Sequence, residues 1–295
     1  MLSSVAFVIV QFDGIPARVP RLVAENDAVA QDSGSLESCA LVGGLCLVGA
    51  DSPSKILFWG DSHAGHLYGA LLAMERQGMA DRHQLALAVN HSCVPVRTLD
   101  HVHRPTHCRQ DNDRVYARAL QSDVQAVVLS SIWTTYFRER LYDFKTGPNV
   151  CAWQGDECRP FADTRSGLAY LERQLGSDLE DLMHAGKRVF IVAPVPVQRM
   201  HVPQYLARVL WEGRTPGLLL RREVHEAAQA QMVAALRRIA DRVGATLLDP
   251  TPLLCSEQIC PYQVNGTSIY RDNNHLTTAG ARRLVPMFAP VVELP

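Results

Sequence analysis

Short apolar runs alternate with longer segments of helical periodicity over most of this chain, and that alternation leaves few architectures open. Lys55-Ile56-Leu57-Phe58-Trp59 ends at Gly60, and residues 65–77 follow with Leu67, Leu71, Leu72 and Met74 at helical spacing. The same rule predicts strands at 84–90, 126–131, 187–193 and 246–249, and helices at 112–121, 166–185 and 221–243. A last helix is expected from about Thr278 to Val285, stopped by Pro286. Strands that are apolar throughout, separated by helices, imply a parallel sheet covered on both faces, an α/β fold. With 295 residues, 47% of them hydrophobic, the chain can bury a substantial core as one large domain or two small ones.

Three regions are expected along the chain. Residues 1–12 are an apolar segment, 13–54 a linker and disulfide-tied flap, and 55–295 the main domain, with an insertion at about 135–164. Leu2 to Phe12 has no Lys or Arg before it and no small-residue cleavage pattern after it, so it does not resemble a signal peptide. At about eleven residues it is shorter than the ~20 that cross a bilayer. It is either a buried strand or the outer end of a membrane helix, with residues 13–18 as the exit turn.

The eight cysteines fall into four close pairs: Cys39 and Cys46, Cys93 and Cys108, Cys151 and Cys158, Cys255 and Cys260. Eight cysteines permit 105 pairings, but an even count in local pairs fits an oxidising compartment. None of the pairs has the two-residue gap that zinc sites favour. Twenty-nine basic against thirty acidic residues leave a net charge of -1, so no broad cationic surface exists for nucleic acid.

Ser62 stands just past the first strand of the main domain and before a helix, where ligands collect in parallel sheets. A helix cap is the plain alternative for Asp61-Ser62. Asp272 and His275, three residues apart after the last strand, favour chemistry. A serine hydroxyl needs a base, and the base needs a group that holds its tautomer. The order Ser, Asp, His is not that of chymotrypsin-like enzymes, and Ala64 breaks the Gly-x-Ser-x-Gly elbow of α/β-hydrolases.

Gly60-Asp61-Ser62-His63 and Asp272-Asn273-Asn274-His275-Leu276-Thr277 resemble the first and last blocks of the SGNH, or GDSL-like, esterase superfamily. More narrowly, residues 56–66, the cysteine-rich flanks and Val127-Val128-Leu129-Ser130-Ser131-Ile132-Trp133 resemble the periplasmic domain of acyltransferase-three membrane O-acetylases. The resemblance runs over about 13–290. It implies a flavodoxin-like, three-layer α/β/α sandwich, a triad of Ser62, Asp272 and His275, and O-acetylation of cell-envelope polysaccharide such as lipopolysaccharide. It also implies an acyl donor and a glycan acceptor as partners, a membrane acyltransferase bundle in the same or a longer chain, no cofactor, and a periplasmic place tethered to the inner membrane. A stand-alone carbohydrate esterase and a non-catalytic glycan-binding module are the alternatives.

The wider superfamily keeps a Gly after its second strand and an Asn after its middle one, both for the oxyanion. Here those places carry Asn90-His91-Ser92-Cys93 and Ser130-Ser131-Ile132-Trp133. The backbone N–H of Ser62, the backbone N–H of Ser92 and the side chain of Asn112 are the candidate donors. Trp133 offers its indole N–H or an apolar wall to the sugar, or is core. His63, with His66 three residues on, is expected to tune the nucleophile turn. The His101, His103 and His107 cluster is expected to be a polar loop, and no metal site is expected.

Overall fold

The computed structural model describes residues 19–32, 39, 41–102, 107–138, 140–142, 144–145 and 149–293. The apolar segment 1–12, the turn 13–18 and His103 lie outside the described residues.

Seven strands make the central sheet: β1 (Leu41–Val42), β2 (Leu45–Val48), β3 (Lys55–Gly60), β4 (Gln84–Val89), β5 (Val124–Ser130), β6 (Arg188–Val192) and β7 (Thr246–Leu248). Their order is β1-β2-β4-β3-β5-β6-β7. From β4 to β7 every pairing is parallel, while β1 and β2 join the edge antiparallel. Nine helices are used below: α1 (Arg21–Val29), α2 (Ser62–Gly65), α3 (Tyr68–Arg76), α4 (His107–Ala119), α5 (Trp133–Phe137), α6 (Thr164–His184), α7 (Val202–Trp211), α8 (Arg222–Val243) and α9 (Thr278–Arg282).

Alternate residues of each buried strand feed two cores, as period-2 geometry requires. Ile56 and Phe58 of β3 face Leu71 of α3, Leu206 of α7 and Phe288; Leu57 and Trp59 face Leu175 of α6, Leu236 of α8 and Ala119 of α4. The result is the expected α/β/α sandwich.

The sheet register decides where chemistry can sit. Gly60 pairs with Val89 of β4 and Ser130 of β5, so three neighbouring strands end level. A Cβ on Gly60 would fall 1.7 Å from the Ser130 carbonyl oxygen, so only glycine allows this approach.

Several elements differ from the sequence expectations. Within 13–54, α1 packs along α7, and the Leu41–Val42/Leu45–Val48 hairpin extends the main sheet. Helix α7 was not expected, because Pro203 interrupts its periodicity; at the first turn, where the N–H has no intrahelical acceptor, proline is tolerated. Helix α9 stops at Arg282, and Pro286 lies in a separate 3-10 turn, Val285–Phe288. Within 135–164, Val150–Gln154 and Glu157–Pro160 form a hairpin that joins Leu99–His101 in a small antiparallel sheet. All eight cysteines are disulfide-bonded, in the four local pairs.

Candidate active site

Asp61 builds the turn that presents Ser62. It is fully buried, and its Oδ1 accepts from the His63 N–H at 2.7 Å, which caps α2. Its Oδ2 accepts from Ser131 Oγ (2.7 Å), the Ile132 N–H (3.1 Å) and Tyr136 Oη (2.9 Å). One carboxylate therefore ties the end of β3 to the segment that follows β5. Burial, and then the neighbouring Asp61, push the Tyr136 phenol well above its ordinary pKa, so it remains a donor. Ser62 is the first residue of α2, so its N–H has no acceptor within the helix.

The loop carrying Asp272 and His275 is framed by an antiparallel bridge between Tyr270 and Leu276 and by the Arg271 N–H donating to the His275 carbonyl at 3.0 Å. The segment after β6 holds its other side: the Gln198 N–H donates to the Asn273 carbonyl and the Val202 N–H to that of Asp272. Gly280 lets α9 close behind it, since a Cβ there would lie 2.2 Å from the Ile269 carbonyl oxygen.

These two structures, 210 residues apart in sequence, meet in one hydrogen-bonded series. Ser62 Oγ is 2.7 Å from His275 Nε2, and His275 Nδ1 is 2.5 Å from Asp272 Oδ2. Asp272 Oδ1 accepts from the backbone N–H groups of Asn274 and His275, both at 2.7 Å. Burial by itself would raise the Asp272 carboxyl, but hydrogen bonding and charge from His275, with the two backbone donors, outweigh it. The carboxyl is held well below the usual carboxylate range. An ionised Asp272 accepts only, so the proton of that bond sits on Nδ1 and Nε2 is the acceptor for the Ser62 hydroxyl. The side chains of His275 and Asp272 are 18% and 29% exposed, which leaves the series open to solvent.

Two sequence candidates have their polar groups committed elsewhere. Asn112 is fully buried; its Nδ2 donates to the Val94 and Val96 carbonyls at 2.8 and 3.1 Å, and its Oδ1 accepts from Trp59 Nε1 at 3.3 Å. It braces the loop after β4 and has no donor to offer an oxyanion. Trp133 is also fully buried, with Nε1 donating to the Val192 carbonyl at 3.0 Å, so it is core and not a wall for substrate. Ser92, by contrast, is exposed and has φ of 64°. It occupies a turn closed by the Cys93 N–H on the Asn90 carbonyl, and the Asn90 N–H donates to Gly60, next to the nucleophile turn. Asn112 and the Cys93–Cys108 disulfide pin the following residues to α4.

His63 lies beside the series. Its Nε2 is 2.9 Å from Asn274 Oδ1, and its ring centroid is 5.1 Å from that of His275. Burial first, and then the nearby His275, push it down to about 4. Among the described residues no group of three metal-ligating side chains occurs.

Sequence reasoning did not anticipate the roles of Ser131, Tyr136 and Asn274. Their partners lie 70, 75 and 211 positions away, beyond any local pattern.

A family model described as SGNH domain (fused to AT3 domains) matches residues 28–290. No curated protein matches the sequence significantly. Among solved structures, the chain is similar to the periplasmic domain of a lipopolysaccharide acetyltransferase from Salmonella ser. Paratyphi A. That likeness has 16% identity, covers 81% of this chain and 83% of the other, and has a TM-score of 0.59. An acetyl xylan esterase, AlAXEase, shares 14% identity over 81% of this chain and 99% of its own, with a TM-score of 0.45. The match over most of its length places the chain in the family of SGNH domains that are fused to AT3 domains.

Proposed function

We propose that this domain is an O-acyltransferase that moves acetyl groups onto cell-envelope polysaccharide through an acyl-enzyme on Ser62. The observation that carries the reading is the Ser62–His275–Asp272 series in a chain of this family. Ser62 Oγ attacks the carbonyl carbon of the acyl donor as His275 Nε2 takes its proton. Asp272 holds the imidazole by Nδ1 and stabilises the imidazolium. His275 then returns the proton to the leaving group. In the second half the acceptor hydroxyl gives its proton to Nε2 as it attacks the ester carbonyl, and Nε2 passes that proton to Ser62 Oγ as the bond from Oγ to the acyl carbon breaks.

The developing oxyanion calls for preorganised donors. The N–H of Ser62 is one, and the N–H of Ser92 is the second. A serine with φ of 64° is uncommon, and such conformations cluster at functional sites. The acetyltransferase domain with the similar fold supports acetyl transfer to a glycan and a periplasmic place. The family's fusion to AT3 domains supports a membrane bundle as acyl source. The partial exposure of His275 favours a second outcome, in which water replaces the glycan and the domain acts as an esterase.

The test is turnover of a chromogenic acetyl ester by the purified domain and by Ser62→Ala, followed by mass spectrometry of an acceptor oligosaccharide incubated with enzyme and donor. Wild-type turnover lost in Ser62→Ala, with acetylated oligosaccharide, supports the reading. Equal turnover by both proteins overturns it.

A further inference from the structure

We propose that His63 and His66 clamp the Asp272–His275 loop onto the nucleophile turn and so set the distance from Ser62 Oγ to His275 Nε2. His275 sits between Asn274 and Leu276, and each of these neighbours is held by a histidine from the turn that carries Ser62. His63 Nε2 meets Asn274 Oδ1 at 2.9 Å, and the Leu276 N–H donates to His66 Nδ1 at 3.4 Å. The two rings are three residues apart on one face of a helical turn, with centroids 4.6 Å apart, and are 2% and 4% exposed. The loop's backbone anchors to Gln198 and Val202 come from the segment after β6 and not from the turn that carries Ser62. Without the clamp, the Ser62–His275 bond would be the one hydrogen bond between loop and turn among the described residues, beside the packing of Gly69 on Thr278 farther along each element, and a hydroxyl that must leave that bond during the reaction is a poor fixture.

The chemistry of the rings fits the task. His66 Nδ1 accepts, so this ring works only in its neutral form with the proton on Nε2, an atom that has no partner. Asn274 Nδ2 donates to Asn273 Oδ1, which turns Asn274 Oδ1 toward His63 and makes His63 Nε2 the donor. The charged or titratable groups around the pair are Asp61, Arg271, Asp272 and His275. Neutral rings add no positive charge beside His275 at the moment it becomes an imidazolium.

The inference rests on Ser62 and His275 being the reacting pair, and the experiment separates the two claims. His63→Ala, Asn274→Ala, their double variant and His63→Gln are assayed on a chromogenic acetyl ester beside Ser62→Ala. A misplacement of about 1 Å costs roughly 100-fold in rate. Each single alanine variant is therefore expected to lose about 100-fold in kcat with KM within about twofold. The double variant should lose no more than the worse single one, because both cut the same bond. His63→Gln, which keeps an amide donor, should recover at least tenfold of the loss, about half of it on a logarithmic scale. Asn274 is a half-buried loop residue, so Asn274→Ala carries the test if His63→Ala does not fold. Wild-type kcat in Asn274→Ala, losses that multiply in the double variant, a loss confined to KM, or no recovery in His63→Gln each overturn the clamp while Ser62→Ala remains inactive. An active Ser62→Ala overturns the clamp and the proposed function together.

Discussion

Asp61 offers the sharpest test of how the nucleophile turn is built. In Asp61→Ala four donors lose a buried, charged acceptor: the N–H groups of His63 and Ile132 and the hydroxyls of Ser131 and Tyr136. Hydrogen bonds to charged groups contribute roughly 1.5–3 kcal/mol each, and a buried donor left unmade costs about 1–3 kcal/mol. The two hydroxyls can rotate to other acceptors, whereas the two backbone N–H groups are fixed by α2 and by the start of α5. Counting mainly the fixed pair, with a smaller share for the hydroxyls, gives a loss of about 5 kcal/mol. At roughly 2–4 °C per kcal/mol for a domain of this size, the melting temperature falls by about 10–20 °C.

Asp61→Asn should be intermediate. Its one oxygen can replace Oδ2 and keep three bonds, but its amide nitrogen then faces the His63 N–H, for a loss of about 2 kcal/mol. Tyr136→Phe removes a single donor and should cost less than Asp61→Ala, about 1–2 kcal/mol. Circular-dichroism melts under non-reducing conditions rank the three variants. A melting point of Asp61→Ala within about 3 °C of wild type, or a larger loss in Tyr136→Phe, would refute the reasoning.

Asp272→Asn is expected to lower kcat on an acetyl ester about 10,000-fold, because an amide there can favour the wrong tautomer of His275; a loss under tenfold would show that Asp272 does not orient the base. Acid should destabilise the fold through its buried histidines, with Asp178, whose carboxyl is pushed up to about 6 by burial, offsetting part of the loss. His63 and His225 are each pushed down to about 4, first by burial, so below their unfolded value of 6.5 the unfolded chain binds protons that the folded chain does not. Stability is full above pH 6.5 and falls as pH drops toward 4, by roughly 3 kcal/mol for each ring. Urea denaturation at pH 7 and pH 5 checks the direction, and a flat profile would contradict it. Replacing Cys93 and Cys108 together by alanine should cost about 3 kcal/mol, the chain-entropy figure for a 15-residue loop; unchanged urea midpoints would mean that Asn112 alone holds this loop.

What could be read from the sequence divides along physical lines. Strand β3, the turn at Ser62 and the Asp272–His275 spacing are local patterns, each complete within a few residues, and all were legible. Helix α7 was not, because Pro203 looks like a breaker until its place in the first turn is known. Asn112 and Trp133 were chosen for their chemical type, and type says only that a donor exists. Whether it is free depends on what folding brings beside it, and folding brought the carbonyls of Val94 and Val96 to one and Val192 to the other. A buried donor that is already satisfied would have to give up a bond to reach an oxyanion, which costs about as much as the new bond returns. The useful criterion for a missing oxyanion donor is therefore an uncommitted N–H at the level where β3, β4 and β5 end. By that criterion Ser92 outranks Asn112, since it is exposed at the end of β4 with φ of 64° and the residues after it are held by a disulfide and a buried amide.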